Sequence, residues 1–125
     1  MYKVLTLACL GALIAFSACK RESMDEKIKR DCEQFTQRNC PQSISGFQLD
    51  SLCYDIDSRT RSEYYTIEGD ADKNKFSEFT LGALKNDLDS KHLKDEGINF
   101  RYVYRSATNG EILFEFTFTK EDYGQ

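Results

Sequence analysis

The sequence predicts an α+β domain in which two αββ units form a four-stranded antiparallel sheet with both helices on one face. Three patterns support this fold: a capped amphipathic helix near the start, a second helical pattern in the middle, and four short runs of alternating apolar residues. A cystatin-like sheet wrapped around one main helix is the alternative. The chain has 125 residues, 40% of them hydrophobic and 13% aromatic, which is typical of one folded domain.

The first unit is expected to begin with a helix over 24–38. Ser23 is followed three residues later by Glu, which is the spacing of a capping box, and Pro41 lies directly after the end of the helical apolar pattern. Two strands are expected within 44–69. The apolar alternation of the first strand changes phase once, which predicts an irregularity near Ser51.

The second unit is expected to begin with a longer helix that Gly97 ends. Its first residue can be capped by Asp70, Asp72 or Asn74. Similar residues recur at an offset of 51 positions between the two units. The units are therefore either a duplication or two hairpins of similar length. The apolar positions of the helix are Phe76, Phe79, Leu81, Leu84 and Leu88.

The final hairpin has the clearest pattern, with two alternating runs around Asn109-Gly110. A two-residue loop would place aromatic residues opposite polar ones, whereas a three-residue loop over 108–110 aligns aromatic residues across the strands. The predicted cross-strand pairs are Tyr104 with Phe114 and Tyr102 with Phe116. The other face of the sheet would then present Arg101, Arg105, Glu115 and Thr117 to solvent or to a partner.

The N-terminal residues have the pattern of an export signal, with Lys3 followed by an uncharged apolar stretch too short to span a bilayer. The segment ends in Phe16-Ser17-Ala18-Cys19, which resembles the bacterial lipobox, where the cysteine is acylated and becomes the new N-terminus. An ordinary secretory signal is the alternative. The resemblance implies that 1–18 is a signal peptide, 19–23 a lipidated cysteine with its tether, and 24–125 a single α+β domain.

The residues after the lipobox bear on location. Lys20 differs from the Asp of the inner-membrane retention signal, so the resemblance implies an outer-membrane lipoprotein facing the periplasm or the cell surface. The lipobox, the helix stop at Asn39-Cys40-Pro41 and the aromatic C-terminal hairpin together resemble small lipoproteins of the Bacteroides type. That resemblance implies a membrane contact through acyl chains on Cys19, and it transfers no catalytic residue.

Three cysteines remain in the predicted domain. Cys32 and Cys40 would be separated by about 12 Å along the first helix, which is beyond the reach of a disulfide. The sequence therefore predicts a bridge between Cys40 and Cys53, with Cys32 as a buried free thiol. A reactive Cys32 would need a base, and the only histidine, His92, is explained by its position near a helix C-terminus.

Composition disfavours several classes of function. A net charge of −4 is unsuited to nucleic-acid binding, and one histidine without a cysteine pair gives no metal site, so we expect no cofactor and no metal. The sequence predicts a non-catalytic, membrane-anchored module that binds an envelope protein or surface ligand. A thiol-dependent or acid/base enzyme and a purely structural envelope protein are the alternatives. The candidate contact residues are Tyr64, Arg101 and Arg105.

Overall fold

The structure is a computed structural model that describes residues 22–44 and 46–124, so the predicted leader and Cys19 lie outside the described residues. Five strands form one sheet in the order β1-β2-β3-β4-β5. The strands are β1 (Gln42–Ile44), β2 (Phe47–Asp55), β3 (Thr60–Ile67), β4 (Asn99–Ser106) and β5 (Ile112–Phe118). The helices are α1 (Met24–Asn39), α2 (Lys73–Asn86), α3 (Lys91–Asp95) and α4 (Lys120–Tyr123).

The first helix agrees with the sequence prediction. The Ser23 side chain accepts a hydrogen bond from the Glu26 backbone N–H at the start of α1. Ile28 and Cys32 are buried on one stripe of the helix. That stripe packs on the same face of the sheet as α2 and joins one hydrophobic core.

The sheet is mixed, which corrects the expected four-stranded antiparallel sheet. β3 and β4 pair in parallel, because the chain leaves β3, crosses the sheet through α2 and α3, and returns in the same direction. The three-residue β1 adds a fifth strand at one edge. Two long helices lie on the sheet, so the alternative topology with one main helix is not formed.

Both predicted hairpins are present. The pairing of β2 with β3 shifts between Leu49 and Ser51, which confirms the predicted irregularity. Ser106 N–H donates to the Glu111 carbonyl at 2.9 Å, so the last loop has four residues, 107–110, instead of the predicted three. The predicted aromatic register is confirmed, with Tyr104 opposite Phe114 and Tyr102 opposite Phe116.

The predicted second helix is interrupted. Asp72 caps α2, but α2 ends at Asn86, and a separate short helix, α3, follows before Gly97. Ser90 donates to the Asp87 carboxylate at 2.5 Å within the break. Such local side-chain hydrogen bonds compete with the helical pattern.

The core lies between the helices and one face of the sheet, which we call the inner face. Ile98 and Phe100 are 0% exposed. Every buried residue of this core falls between Ile28 and Tyr123. A chain of residues 20–125 therefore contains all of the core that the structure describes.

The start of α1 is attached to the β2–β3 hairpin. Asp25 Oδ1 accepts hydrogen bonds from the Tyr54 hydroxyl at 2.6 Å and from Arg59 Nε at 3.2 Å. The hydrogen bond from Tyr54 and the contact with Arg59 hold the pKa of Asp25 below its usual value. These contacts join the first turn of the helix to the end of the sheet.

Candidate functional site

A cleft opens between α1 and α2 over the inner face of the sheet, and we call it the interhelical cleft. It consists of two adjoining cavities of about 460 and 390 Å³. Arg61, Glu63, Asp87 and Ser90 line both cavities. The cleft has the size and the mainly apolar lining typical of binding sites.

An ion pair forms the floor of the cleft. Arg61 Nη2 lies 3.2 Å from Glu63 Oε2, and the two side chains are only 17% and 14% exposed. They are two residues apart on β3, so both point to the inner face. The Tyr65 hydroxyl donates to Glu63 at 2.7 Å, and the Arg61 guanidinium lies 5.2 Å from the Phe100 ring centroid.

The floor has defined protonation states. Burial, together with the negative charge of Glu63, raises the pKa of Tyr65 and Tyr102, so both hydroxyls remain protonated at neutral pH. Arg61 Nε is buried and has no hydrogen-bond partner among the described residues. The floor therefore combines a paired carboxylate with one buried donor that has no partner among the described residues.

The walls and rim of the cleft are apolar and acidic. Phe79 lines the larger cavity although its side chain is 74% exposed, and Leu88, in the break after α2, is 83% exposed. Asp31, Asp87 and Asp89 line the smaller cavity. A hydrogen bond from Ser90 lowers the pKa of Asp87, which keeps that carboxylate charged.

The ion pair of Arg61 and Glu63 on the cleft floor was not among the sequence-predicted site residues. Tyr65 and Ile67 are buried on β3, and the same alternation continued backwards places Glu63 and Arg61 on the inner face. Two charged residues at the same alternating positions as buried apolar residues were therefore the sequence signal that could have indicated a buried ion pair. Charged residues are almost never buried unless they are paired.

The three predicted contact residues come together on the opposite, outer face of the sheet. Arg101 Nη1 donates to the Tyr64 hydroxyl at 3.1 Å, and Arg101 Nη2 lies 2.7 Å from Glu115. The guanidinium groups of Arg101 and Arg105 lie 5.8 and 5.7 Å from the Tyr64 ring centroid. Val103 lies under this cluster and is 0% exposed.

The predicted disulfide is not formed: Cys32, Cys40 and Cys53 are free in the described part of the chain. Cys53 lies opposite Ser62 in the register of the sheet, which places it on the outer face, whereas Cys40 packs against the core. The two side chains are thus separated by the sheet. The prediction failed because Cys53 lies between Leu52 and Tyr54, which face the core, so the alternation of the strand turns Cys53 outward.

Cys32 lies on the wall of the smaller cavity, which His92 also lines. Burial raises the pKa of the Cys32 thiol to about 11. This is opposite to the lowered pKa of a nucleophilic cysteine. Across residues 22–44 and 46–124, no three His, Cys, Asp or Glu side chains form a group that could hold a metal ion.

The fold and cleft define a class of small α+β domain in which two helices leave an open cleft over a mixed sheet. The chain belongs to the family described as "Domain of unknown function (DUF8479)", which matches residues 23–114. No curated protein matches the sequence. Of the part that the structure covers, no helix has the length and apolar character needed to cross a membrane.

Three solved structures have a similar fold. A pilotin from the Vibrio vulnificus type 2 secretion system has a TM-score of 0.68 and 9% identity, over 79% of this chain and 90% of that one. The type II secretion system pilotin AspS from Vibrio cholerae has a TM-score of 0.64 and 14% identity, over 78% and 90%. A Pseudomonas aeruginosa protein inferred to be secreted has a TM-score of 0.64 and 8% identity, over 82% and 99%. At these identities the likeness establishes a pilotin-like fold.

Proposed function

We propose that this protein is a lipid-anchored, non-catalytic binding module of the cell envelope that holds a segment of a partner protein in the interhelical cleft. The observation that carries the proposal is the open cleft itself, with its apolar walls, its exposed Phe79 and its paired charges. The anchor would be Cys19, in the outer membrane, with the domain on the periplasmic or surface side. The pilotin-like fold supports an interaction role, because pilotins are components of secretion systems.

The chemistry of the lining indicates what kind of segment fits. The walls are apolar, and four carboxylates line the cavities against a single guanidinium, that of Arg61. An amphipathic segment with one apolar face and a flanking Lys or Arg would satisfy both features. The carboxylates are Asp31, Glu63, Asp87 and Asp89.

Site-specific photo-crosslinking tests this proposal. A photoreactive amino acid at Phe79 should give a single protein adduct in the envelope of the native host. The matched control places the same group at Asp57, an exposed turn residue away from the cleft. Asp89→Lys should reduce the Phe79 adduct, because it reverses a charge on the lining. No adduct from Phe79, or the same adduct from Asp57, would overturn the proposal.

The outer-face cluster of Tyr64, Arg101 and Arg105 is the second candidate contact surface. Its tyrosine is held between two guanidinium groups, a geometry that presents a rigid aromatic ring and hydrogen-bond donors together. A photoreactive group at Tyr64 distinguishes the two surfaces. An adduct from Tyr64 without one from Phe79 would assign binding to the outer face.

The enzyme alternative depends on Cys32 or on an acidic pair. The raised pKa of Cys32 removes the thiolate that nucleophilic chemistry needs at neutral pH. The carboxylate on the cleft floor, Glu63, is already paired with Arg61. These features favour binding over catalysis in the cleft.

A further inference from the structure

The two edges of the sheet differ in how they are protected. At one edge β1 has only three residues and follows Pro41. Beyond β1, Thr36 Oγ1 accepts from the Leu52 N–H and donates to the Leu52 carbonyl, both at 2.9 Å, so a side chain from α1 satisfies the backbone of β2. Short strands, proline and covering elements are the usual means by which proteins block an edge.

The other edge, β5, has none of these protections. It has seven residues and pairs only with β4. Within residues 22–44 and 46–124, no backbone or side-chain group hydrogen-bonds to the side of Ile112–Phe118 that faces away from β4. A long edge strand with free N–H and C=O groups is a template for another strand.

The composition of β5 also favours pairing. The segment Ile112–Phe118 contains no Pro, Gly or Lys, and its one charge, Glu115, is bound by Arg101 at 2.7 Å. Phe114 and Phe116, on its inner face, are only partly buried. Aromatic and β-branched residues of this kind have the highest propensity for strands.

We propose that a second copy of the chain pairs with this edge, β5 against β5 in antiparallel orientation, to form one continuous sheet across the dimer. The β5 residues line neither cavity of the interhelical cleft. The proposal therefore concerns a different surface from the proposed function. The same strand sequence on both sides makes the contact self-complementary.

Charge and side-chain pairing select the register. A two-fold axis at Glu115 would place the two Glu115 carboxylates opposite each other, and an axis at Phe114 would place each Glu115 opposite Leu113. An axis at Phe116 avoids both arrangements. It pairs Phe116 with its own copy, Phe114 with Phe118, and Glu115 with Thr117, so aromatic residues meet on the inner face and no like charges meet within the strands.

The register makes opposite predictions for two substitutions at Thr117, which is exposed. Thr117→Glu would place like charges opposite each other at two symmetric positions, and we expect dimerisation to weaken by about tenfold or more. Thr117→Lys would face the same two carboxylates with opposite charge, so the dimer should be retained or strengthened. Thr117 also lies opposite Arg101 on β4, so the melting temperature of each monomer is measured as well, and only a change in dimerisation beyond the change in monomer stability counts.

Sedimentation equilibrium of the 20–125 chain over a range of concentrations is the test. We expect a reversible dimer in the parent, a shift toward monomer in Thr117→Glu, and no such shift in Thr117→Lys. Hydrogen exchange should show β5 amides whose protection increases with protein concentration. A parent chain that stays monomeric would overturn the proposal and leave the edge to a strand of another protein. A dimer that responds equally to both substitutions would overturn the register.

Discussion

The ion pair on the cleft floor provides a quantitative test of the structure. Glu63→Gln keeps the shape of the side chain and its ability to accept from Tyr65, but it removes the carboxylate that is paired with Arg61. The Asp87 carboxylate, which lines the same cavities, remains as a weaker counter-charge. Arg61 and Glu63 are 17% and 14% exposed, so solvent screens the pair only weakly. The substitution therefore measures the cost of breaking one buried ion pair.

The expected loss can be estimated from this geometry. Breaking a buried ion pair by removing one partner costs about 3–5 kcal/mol. The ion pair borders two open cavities, so we expect a loss at the lower end of this range. That loss is about 3 kcal/mol, or roughly a hundredfold in the folding equilibrium constant. Replacing both members, Arg61→Met with Glu63→Leu, should recover part of this loss and leave the chain within about 2 kcal/mol of the parent, because the ion pair is then gone and the Tyr65 hydroxyl loses its partner.

Urea unfolding of the 20–125 chain at pH 7, followed by far-UV circular dichroism because the protein has no tryptophan, measures these differences. Tyr65→Phe is the matched control. It removes one hydrogen bond to the carboxylate and should cost about 1–2 kcal/mol. A Glu63→Gln variant within about 0.5 kcal/mol of the parent, or a double variant as unstable as the sum of the single ones, would refute the assigned burial of the pair.

Three further predictions follow from burial and charge. With a thiol reagent, Cys53 should react in the folded chain and Cys32 only after unfolding, and two thiols silent even after unfolding would instead indicate a disulfide. Phe100→Ala should cost about 3–5 kcal/mol in urea unfolding, whereas Phe79→Ala should change stability by less than about 0.5 kcal/mol because the side chain is mostly in solvent. The lowered pKa of Asp25 adds stability that is present above its unfolded value of 3.8 and is lost as the pH falls through the folded value, so Asp25→Asn should flatten the acid side of a stability–pH profile.

The elements that the sequence predicted well depend on local patterns. The hairpin register followed from the alternation of aromatic residues, and the first helix followed from its cap and its proline stop. The parallel pairing of β3 with β4 depends on where the chain returns after α2, and no local pattern records that position. The break after Asn86 was hidden because Leu84 and Leu88 keep helical spacing while Asp87 bonds to Ser90.

The candidate site was harder to predict than the fold. The candidate contact residues Tyr64, Arg101 and Arg105 could be assigned to one face because the residues of a strand alternate between faces, and the structure places them in one cluster. The interhelical cleft depends on the distance between two helices, which periodicity does not give. Arg61 and Glu63 were passed over because charged residues are normally expected to face solvent.

The hydrogen bond between Asp25 and Arg59 also limits the distance between one end of the sheet and a membrane to which Cys19 is anchored. With Cys19 acylated as proposed, three residues lie between it and Ser23, and the four residue-to-residue steps reach at most about 14 Å when fully extended. Because α1 starts beside the β2–β3 turn, that end of the sheet would remain within this distance of the bilayer surface. A partner that binds at that end of the sheet would then have to approach the membrane closely.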